Sequence, residues 1–88
     1  MGSFNIIIKP SAERELRKLP KHILSEVSKL FSEFAEHPYP RRVEKLSGGE
    51  ELYRIRVGEY RVVYNIDLKI RVITIYRVRH RKDVYRKF

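Results

Sequence analysis

The sequence predicts a single α+β domain in which helices pack on one face of a mainly antiparallel sheet. Two observations predict this fold class. In the first half, one short β-branched segment is followed by hydrophobic residues at helical spacing, whereas in the second half hydrophobic and polar residues alternate as in strands. The 88 residues fit one domain, residues 1–88, and the expected order is strand, helix hairpin, three-strand meander and a short C-terminal helix or tail.

The first half predicts a strand and two helices. Residues 5–8 are short and β-branched, with Pro10 after them, so we expect a strand there. Ser11 is expected to cap the first helix, and Pro20 ends this helix or begins the next. The apolar stripe of the first helix is Ala12, Leu16 and Leu19, and that of the second is Ile23, Val27, Leu30, Phe31 and Phe34.

The second half predicts a meander of strands. Residues 41–51 are expected to form a polar connection with a turn at Gly48-Gly49. The predicted strands run from Leu52 to Val57, from Tyr60 to Ile66 and from Ile70 to about Arg79, with turns at Gly58-Glu59 and Asp67-Leu68-Lys69. We expect the last strand to be apolar on both faces through Ile73 and Ile75, and therefore central.

The composition excludes several classes of site. The chain has no cysteine, so it has no disulfide, no thiolate nucleophile and no cysteine-rich metal site. Its three histidines lie in separate elements, and it has no glycine-rich phosphate loop, so we expect neither a metal nor a cofactor. No apolar run approaches the ~20 residues of a membrane span, and no signal peptide is seen, so a cytoplasmic protein without membrane contact is expected.

The positive charge is concentrated in the second half of the chain. The formal net charge is +9. Residues 1–40 contribute 6 − 5 = +1, and residues 41–88 contribute 14 − 6 = +8. Such an uneven distribution attracts a polyanion to one surface, and nucleic acid is the first candidate, because binding phosphates releases counterions.

Five arginines are predicted to share the uncovered face of the sheet. Strand alternation puts them opposite the apolar residues, where they would form a cleft for an anion: Arg54, Arg56, Arg61, Arg77 and Arg79. The structural alternative is that each arginine is neutralised by an acid from a loop, namely Glu44, Glu50, Glu51 or Glu59.

The tail adds groups suited to phosphoryl chemistry. His80 titrates near neutrality, Arg81 and Lys82 are cations, and Tyr85 is a phenol. Each of these side chains by itself is commonly structural. Together they predict a site in which surrounding arginines favour the anionic form of Tyr85, so that it acts as general base, and stabilise the charge of a phosphorane.

Two segments give the sequence a family resemblance. Residues 52–64 read LYRIRVGEYRVVY and residues 78–85 read VRHRKDVY, and Leu-Arg-Lys-Leu-Pro stands at 16–20. With these motifs the chain resembles the RelE/ParE superfamily of toxins from type II toxin–antitoxin systems. The resemblance implies the α+β fold above. It also implies either of two activities, since RelE-type members are metal-independent, ribosome-dependent mRNA endonucleases and ParE-type members inhibit DNA gyrase.

The resemblance also implies roles for particular residues. The catalytic residues it suggests are Arg61, Arg79, Arg81, Tyr85 and His80, and the substrate-binding residues it suggests are Arg54 and Arg56. Arg77 on the predicted open face and Lys82 in the cationic tail are also expected to bind substrate. The best-known RelE pattern has lysines where this chain has Arg54 and Arg56. An arginine does not release its proton at neutral pH, so these two residues are not expected to act as base. Tyr85 is therefore the first choice for the base and His80 the second.

The leading hypothesis is an endoribonuclease toxin that cleaves mRNA on the ribosome and inhibits translation. Its rivals are a non-catalytic, ParE-like gyrase inhibitor and a degenerate toxin that serves only as an antitoxin partner, whose overproduction would leave growth unaffected. The expected partners are mRNA on the ribosome and an acidic, RelB-like antitoxin, in a heterodimer or heterotetramer.

Overall fold

The fold is a five-stranded mixed sheet with two helices, seen in a computed structural model that describes residues 3–40, 43–46 and 52–82. The elements are β1 (Asn5–Ile8), α1 (Pro10–Arg17), α2 (Lys21–Phe34), β2 (Glu44–Lys45), β3 (Leu52–Val57), β4 (Tyr60–Asp67) and β5 (Val72–His80). The strand order is β1-β5-β4-β3-β2, with β1 parallel to β5 and the other neighbours antiparallel. The predicted α+β class is confirmed, and the last strand lies inside the sheet, between β1 and β4, and not at an edge, as predicted.

The core lies between α2 and one face of the sheet. The predicted stripe of α2 is buried, except that Phe31 is only partly buried. Phe34 packs on the fully buried Tyr64, with ring centroids 4.3 Å apart. The Tyr64 hydroxyl donates a hydrogen bond to the Pro38 carbonyl at 3.1 Å, and burial raises the pKa of this phenol above its ordinary value.

The helix ends differ in part from the prediction. The prediction that Ser11 caps α1 is wrong, because Lys9 is the N-cap and Pro10 occupies the first turn. Pro10 supplies a fixed φ where no N–H is needed, and Ser11 is free to bond elsewhere. Pro20 is the N-cap of α2, which decides between the two positions left open. Within the described residues, no helix has the length and apolarity required to cross a membrane.

The last strand begins later than the sequence indicated. It starts at Val72, not at Ile70, because the Asp67 carboxylate accepts hydrogen bonds from the N–H groups of Lys69 and Ile70 and prolongs the turn. Arg71 ends this turn with φ of 56°, in the left-handed region. The expectation that Ile73 and Ile75 make both faces apolar is also wrong, since residues two apart in a strand point to the same face.

The connections on either side of β3 agree with the prediction in part. The expected turn at Gly58-Glu59 is present, with Gly58 at φ of 59°. The region 41–51, expected to be a polar connection, contains the short strand β2, which pairs Glu44 with Arg54. The predicted Gly48-Gly49 turn and the tail from residue 83 onward lie outside the described residues.

Candidate functional site

Three arginines form a row across the open face of the sheet. In the strand register Arg56 lies opposite Arg61, and Arg61 lies opposite Arg79. Opposed residues of antiparallel strands have Cα atoms about 4.5–5.5 Å apart and project to the same face. The register therefore brings together three of the arginines that the alternation pattern singled out.

The centre of this row is buried. Arg61 is 7% exposed and is the one charged side chain in the buried class among the described residues. Arg56, in contrast, is exposed. A buried guanidinium between two others is held close to like charges, which makes the row favourable for an incoming anion.

A second row runs beside the first and is partly neutralised. Arg54 lies between Glu44 on β2 and Val63 on β4, and Val63 lies opposite Arg77. Both Nε and a terminal nitrogen of Arg54 donate to one Glu44 oxygen, at 3.1 and 2.7 Å. These hydrogen bonds, and then the Arg54 charge itself, hold the pKa of Glu44 below its ordinary range. The structural alternative thus applies to Arg54, although Glu44 belongs to a strand and not to a loop.

A cavity separates the two rows on the β3 side. It has a volume of about 210 Å³ and is lined by Glu44, Arg54, Arg56 and Arg61. A separate cavity of about 290 Å³ lies at the end of β5, and its lining includes Glu15, Tyr60 and His80. The smaller cavity has three guanidinium groups and one carboxylate in its walls. Its charge is suited to a phosphate group, which arginine binds through paired N–H donors.

Arg77 and Arg79 share a partner that the prediction did not include. The Glu15 carboxylate on α1 lies 3.3 Å from Nε of Arg79 and 3.8 Å from Nε of Arg77. The prediction considered only acids from later in the chain. A signal was present: Glu15 is three residues after Ala12 and four before Leu19, so it lies on the apolar side of α1, where an acid requires a partner.

The residues at the end of β5 occupy a different side of the sheet. His80 lies opposite Tyr60, and the two rings meet edge to face with centroids 5.2 Å apart. Tyr60 packs against the core, and His80 is its partner in the strand register, so His80 projects to the helix side of the sheet. Arg61 and Arg79 project to the open face. The His80 Nδ1 accepts a hydrogen bond from the Lys82 N–H at 3.3 Å.

The cations that follow His80 are exposed. Arg81 and Lys82 have helical backbone, and Nε of Arg81 lies 3.5 Å from a Glu59 oxygen. Glu59 is thus an acid from a turn that pairs with an arginine, as the structural alternative expected, but its partner is Arg81. Tyr85, predicted as the general base, lies outside the described residues.

The described site is chemically an anion site. It offers guanidinium groups, three carboxylates that pair with some of them, and one imidazole at the edge. The described ranges contain no group of three or more His, Asp or Glu side chains placed to hold a metal ion. The arrangement can bind a phosphodiester and stabilise added negative charge on it.

Comparisons with known proteins identify the family of this chain. The sequence model of the family described as ParE toxin of type II toxin-antitoxin system, parDE, matches residues 6–85. Among curated proteins, the chain is 38% identical over 82 residues to Toxin RelG of Mycobacterium tuberculosis. The aligned residues cover 88% of this chain and 90% of that protein.

Solved structures have the same fold. The archaeal RelE–RelB complex from Pyrococcus horikoshii gives a TM-score of 0.83 at 32% identity, covering 90% of this chain and 96% of that chain. The RelB–RelE antitoxin–toxin complex from Methanococcus jannaschii gives a TM-score of 0.79 at 26% identity, and the match covers 93% of this chain and 98% of that chain.

Proposed function

Since this chain belongs to the ParE toxin family of type II toxin–antitoxin systems, we propose that it is a RelE-like endoribonuclease that cleaves mRNA on the ribosome. Family membership makes it a toxin of such a system. The target and the chemistry are the proposal. The observation that carries them is the row Arg56–Arg61–Arg79, which offers three guanidinium groups to one phosphate.

The proposed reaction is an attack of a ribose 2′-hydroxyl on the adjacent phosphorus. A general base takes the proton of the hydroxyl as the new O–P bond forms. The bond from phosphorus to the 5′ oxygen then breaks, that oxygen takes up a proton, and a cyclic phosphate remains. No metal is needed, because the arginine row stabilises the extra negative charge of the pentacovalent phosphorane.

Tyr85 is the better candidate for the general base. Arg54 and Arg56 keep their protons at neutral pH. His80 projects from the helix side of the sheet and packs on Tyr60, which weighs against its reaching a phosphate bound to Arg61. Arg81 and Lys82 stand at the end of β5, where they would bind neighbouring phosphates of the RNA.

Primer extension on mRNA from translating ribosomes tests the proposal. We expect cleavage by the wild-type chain and a loss of about 100-fold or more in Arg79→Ala, because one donor to the developing charge is removed. Tyr85→Phe is expected to lose cleavage to a similar extent. Lys69→Ala, which removes an exposed cation at the β4–β5 turn, is the matched control. Absent cleavage with wild type, or unchanged cleavage in both site variants, contradicts the proposal.

A second candidate is a ParE-like inhibitor of DNA gyrase. The matching family model is that of ParE toxins, which favours this target. An inhibitor of this kind acts by binding, so Tyr85→Phe would keep its toxicity. A gyrase supercoiling assay separates the two candidates: inhibition by the purified chain supports the gyrase target, and full supercoiling activity excludes it.

The proposed partner is an acidic, RelB-like antitoxin. The similar structures from Pyrococcus and Methanococcus are complexes of a RelE with a RelB, and the net charge of +9 suits an acidic chain. A heterodimer or heterotetramer is expected. Its mass is measured by light scattering after coexpression with the candidate antitoxin, and an affinity unaffected by substitution of Arg54 and Arg56 would argue against a charge-driven interface.

A further inference from the structure

One carboxylate from α1 holds the end of β5. Glu15 Oε1 accepts a hydrogen bond from the Val78 N–H at 2.7 Å. Its other oxygen, Oε2, lies 3.3 Å from Nε of Arg79 and 3.8 Å from Nε of Arg77. Glu15 and Arg79 are both well shielded, with side chains 22% and 19% exposed. The two oxygens thus serve different partners, the backbone of the strand and its arginines.

The topology explains why a side chain is needed at this place. β1 pairs with β5 only as far as Ile8 opposite Ile75, so the following part of β5 has α1 and not a strand at its edge. There the Ser11 hydroxyl donates to the Tyr76 carbonyl at 3.1 Å and Glu15 accepts from Val78. Tyr76 is also the extra residue of a bulge, since Val63 lies opposite Arg77 and Tyr64 opposite Ile75.

The contact through Nε leaves Arg79 able to bind substrate. A guanidinium held at Nε still has two terminal nitrogens, which are the pair that grips a phosphate. We propose that Glu15 is a positioning residue, which fixes the guanidinium of Arg79, and with it that of Arg77, beside Arg61 for binding the scissile phosphate. The part of this inference that concerns activity rests on the endoribonuclease proposed above.

Glu15→Gln separates the two roles of the carboxylate. The amide oxygen of glutamine can still accept from the Val78 N–H, but the charge that holds the arginines is gone. Glu13→Gln is the matched control, because Glu13 lies on the same helix, is exposed and faces Arg17 at 4.0 Å. Both variants remove one negative charge, so a difference between them reports on position and not on net charge.

The first measurement is NMR of the purified chain. In Glu15→Gln we expect the Arg79 Nε–H to exchange with water at least about tenfold faster than in wild type, while the Val78 amide keeps its protection. In Glu13→Gln neither signal should change. An Arg79 Nε–H that exchanges equally fast in wild type and Glu15→Gln would overturn the assignment.

The second measurement is single-turnover cleavage of ribosome-bound mRNA. Glu15→Gln is expected to lower the cleavage rate at saturating toxin about tenfold, because a misplaced guanidinium stabilises the transition state less. In an Arg79→Ala background, Glu15→Gln should change the remaining rate by less than about twofold, since the partner is already absent. Equal losses in both backgrounds would reduce Glu15 to a structural residue and contradict the inference.

The two proposals fail in different ways. If the wild-type chain does not cleave mRNA, the endoribonuclease proposal fails, and the exchange rate of the Arg79 Nε–H alone decides whether Glu15 positions that arginine. If wild type cleaves and Glu15→Gln cleaves equally well, the endoribonuclease proposal stands and the role of Glu15 is refuted.

Discussion

At the scale of single residues, Glu44 is an internal counter-charge in the arginine cleft. Its pKa lies below the ordinary 4.5, first because Arg54 donates hydrogen bonds to it and then because of the charge of Arg54. A group with a lowered pKa stays ionised until the pH falls below that range. At neutral pH Glu44 therefore competes with any phosphate for Arg54.

Replacing this carboxylate should strengthen RNA binding. For Glu44→Gln we expect affinity for a single-stranded RNA oligonucleotide at pH 7 to rise about threefold, because Arg54 becomes available to phosphate. The difference from wild type should persist at pH 4.5 and vanish only when the pH falls below the lowered pKa of Glu44, where the wild-type carboxyl is also neutral. Fluorescence anisotropy measures both. Weaker binding by the variant at pH 7 would show that Glu44 positions Arg54 and does not compete.

Tyr64 gives a prediction at alkaline pH. Its hydroxyl is buried and bonded to the Pro38 carbonyl, and its pKa is raised by burial, then by Tyr53 and Tyr39. Above about pH 10 the unfolded chain loses this proton while the folded chain keeps it, so the folded state loses stability as the pH rises. Above that pH, the free energy of unfolding measured in urea should therefore fall more steeply with pH for wild type than for Tyr64→Phe.

The same variant has a cost at neutral pH. Tyr64→Phe removes one buried hydrogen bond and leaves the Pro38 carbonyl without that donor, so we expect a loss of about 1–2 kcal/mol in the free energy of unfolding. Unchanged stability at pH 7 would mean that water replaces the hydroxyl at Pro38.

At the scale of elements, the β3–β4 hairpin sets the register of the arginine row, and its turn requires glycine. Gly58 has φ of 59°, and a Cβ there would lie 3.1 Å from Cδ1 of Ile23. Gly58→Ala should cost about 1–2 kcal/mol, from the left-handed backbone and this close approach. In an Ile23→Val background, which removes that methyl group, the cost should be smaller. Urea denaturation measures each variant, and equal costs in both backgrounds would assign the whole effect to the backbone.

The elements could be predicted from the sequence where the hydrophobic period is regular, as in α2, β3 and β4. Features that depend on a side chain bonding to the backbone were missed. Asp67 delays the start of β5, and Ser11 bonds to β5 and does not cap α1. The two-residue strand that contains Glu44 was missed as well. Their positions depend on distant strands, and local spacing carries no information about those.

The candidate site was predicted in part for the same reason. Alternation placed Arg54, Arg56 and Arg61 on one face because these residues lie on neighbouring strands of a hairpin. It gave no indication that Glu15, 64 residues before Arg79 (79 − 15 = 64), joins this face from another layer. The prediction also grouped His80 with Arg79 because the two are adjacent in the sequence, although adjacent residues of a strand project to opposite faces of the sheet.

At the scale of the whole molecule, the charge predicts a strong salt dependence of RNA binding. If the arginines of the open face contact three to five phosphates, the logarithm of the affinity should fall with the logarithm of salt concentration with a slope of about −2 to −3.5. Arg56→Ala, at the exposed end of the row, should reduce the slope by about 0.7. Titrations at several salt concentrations measure it, and a slope near zero would exclude phosphate contacts as the main source of affinity.

The parallel pairing of β1 with β5 has a consequence for synthesis of the chain. Asn5 pairs with Val72, 72 − 5 = 67 residues further on, and the same strand carries Arg77 and Arg79. Contacts so distant along the chain form late and slowly in folding. A nascent chain that stops before residue 72 lacks both β5, the strand between β1 and β4, and one end of its arginine row. We therefore expect fragments left by interrupted translation neither to fold stably nor to carry the complete arginine row.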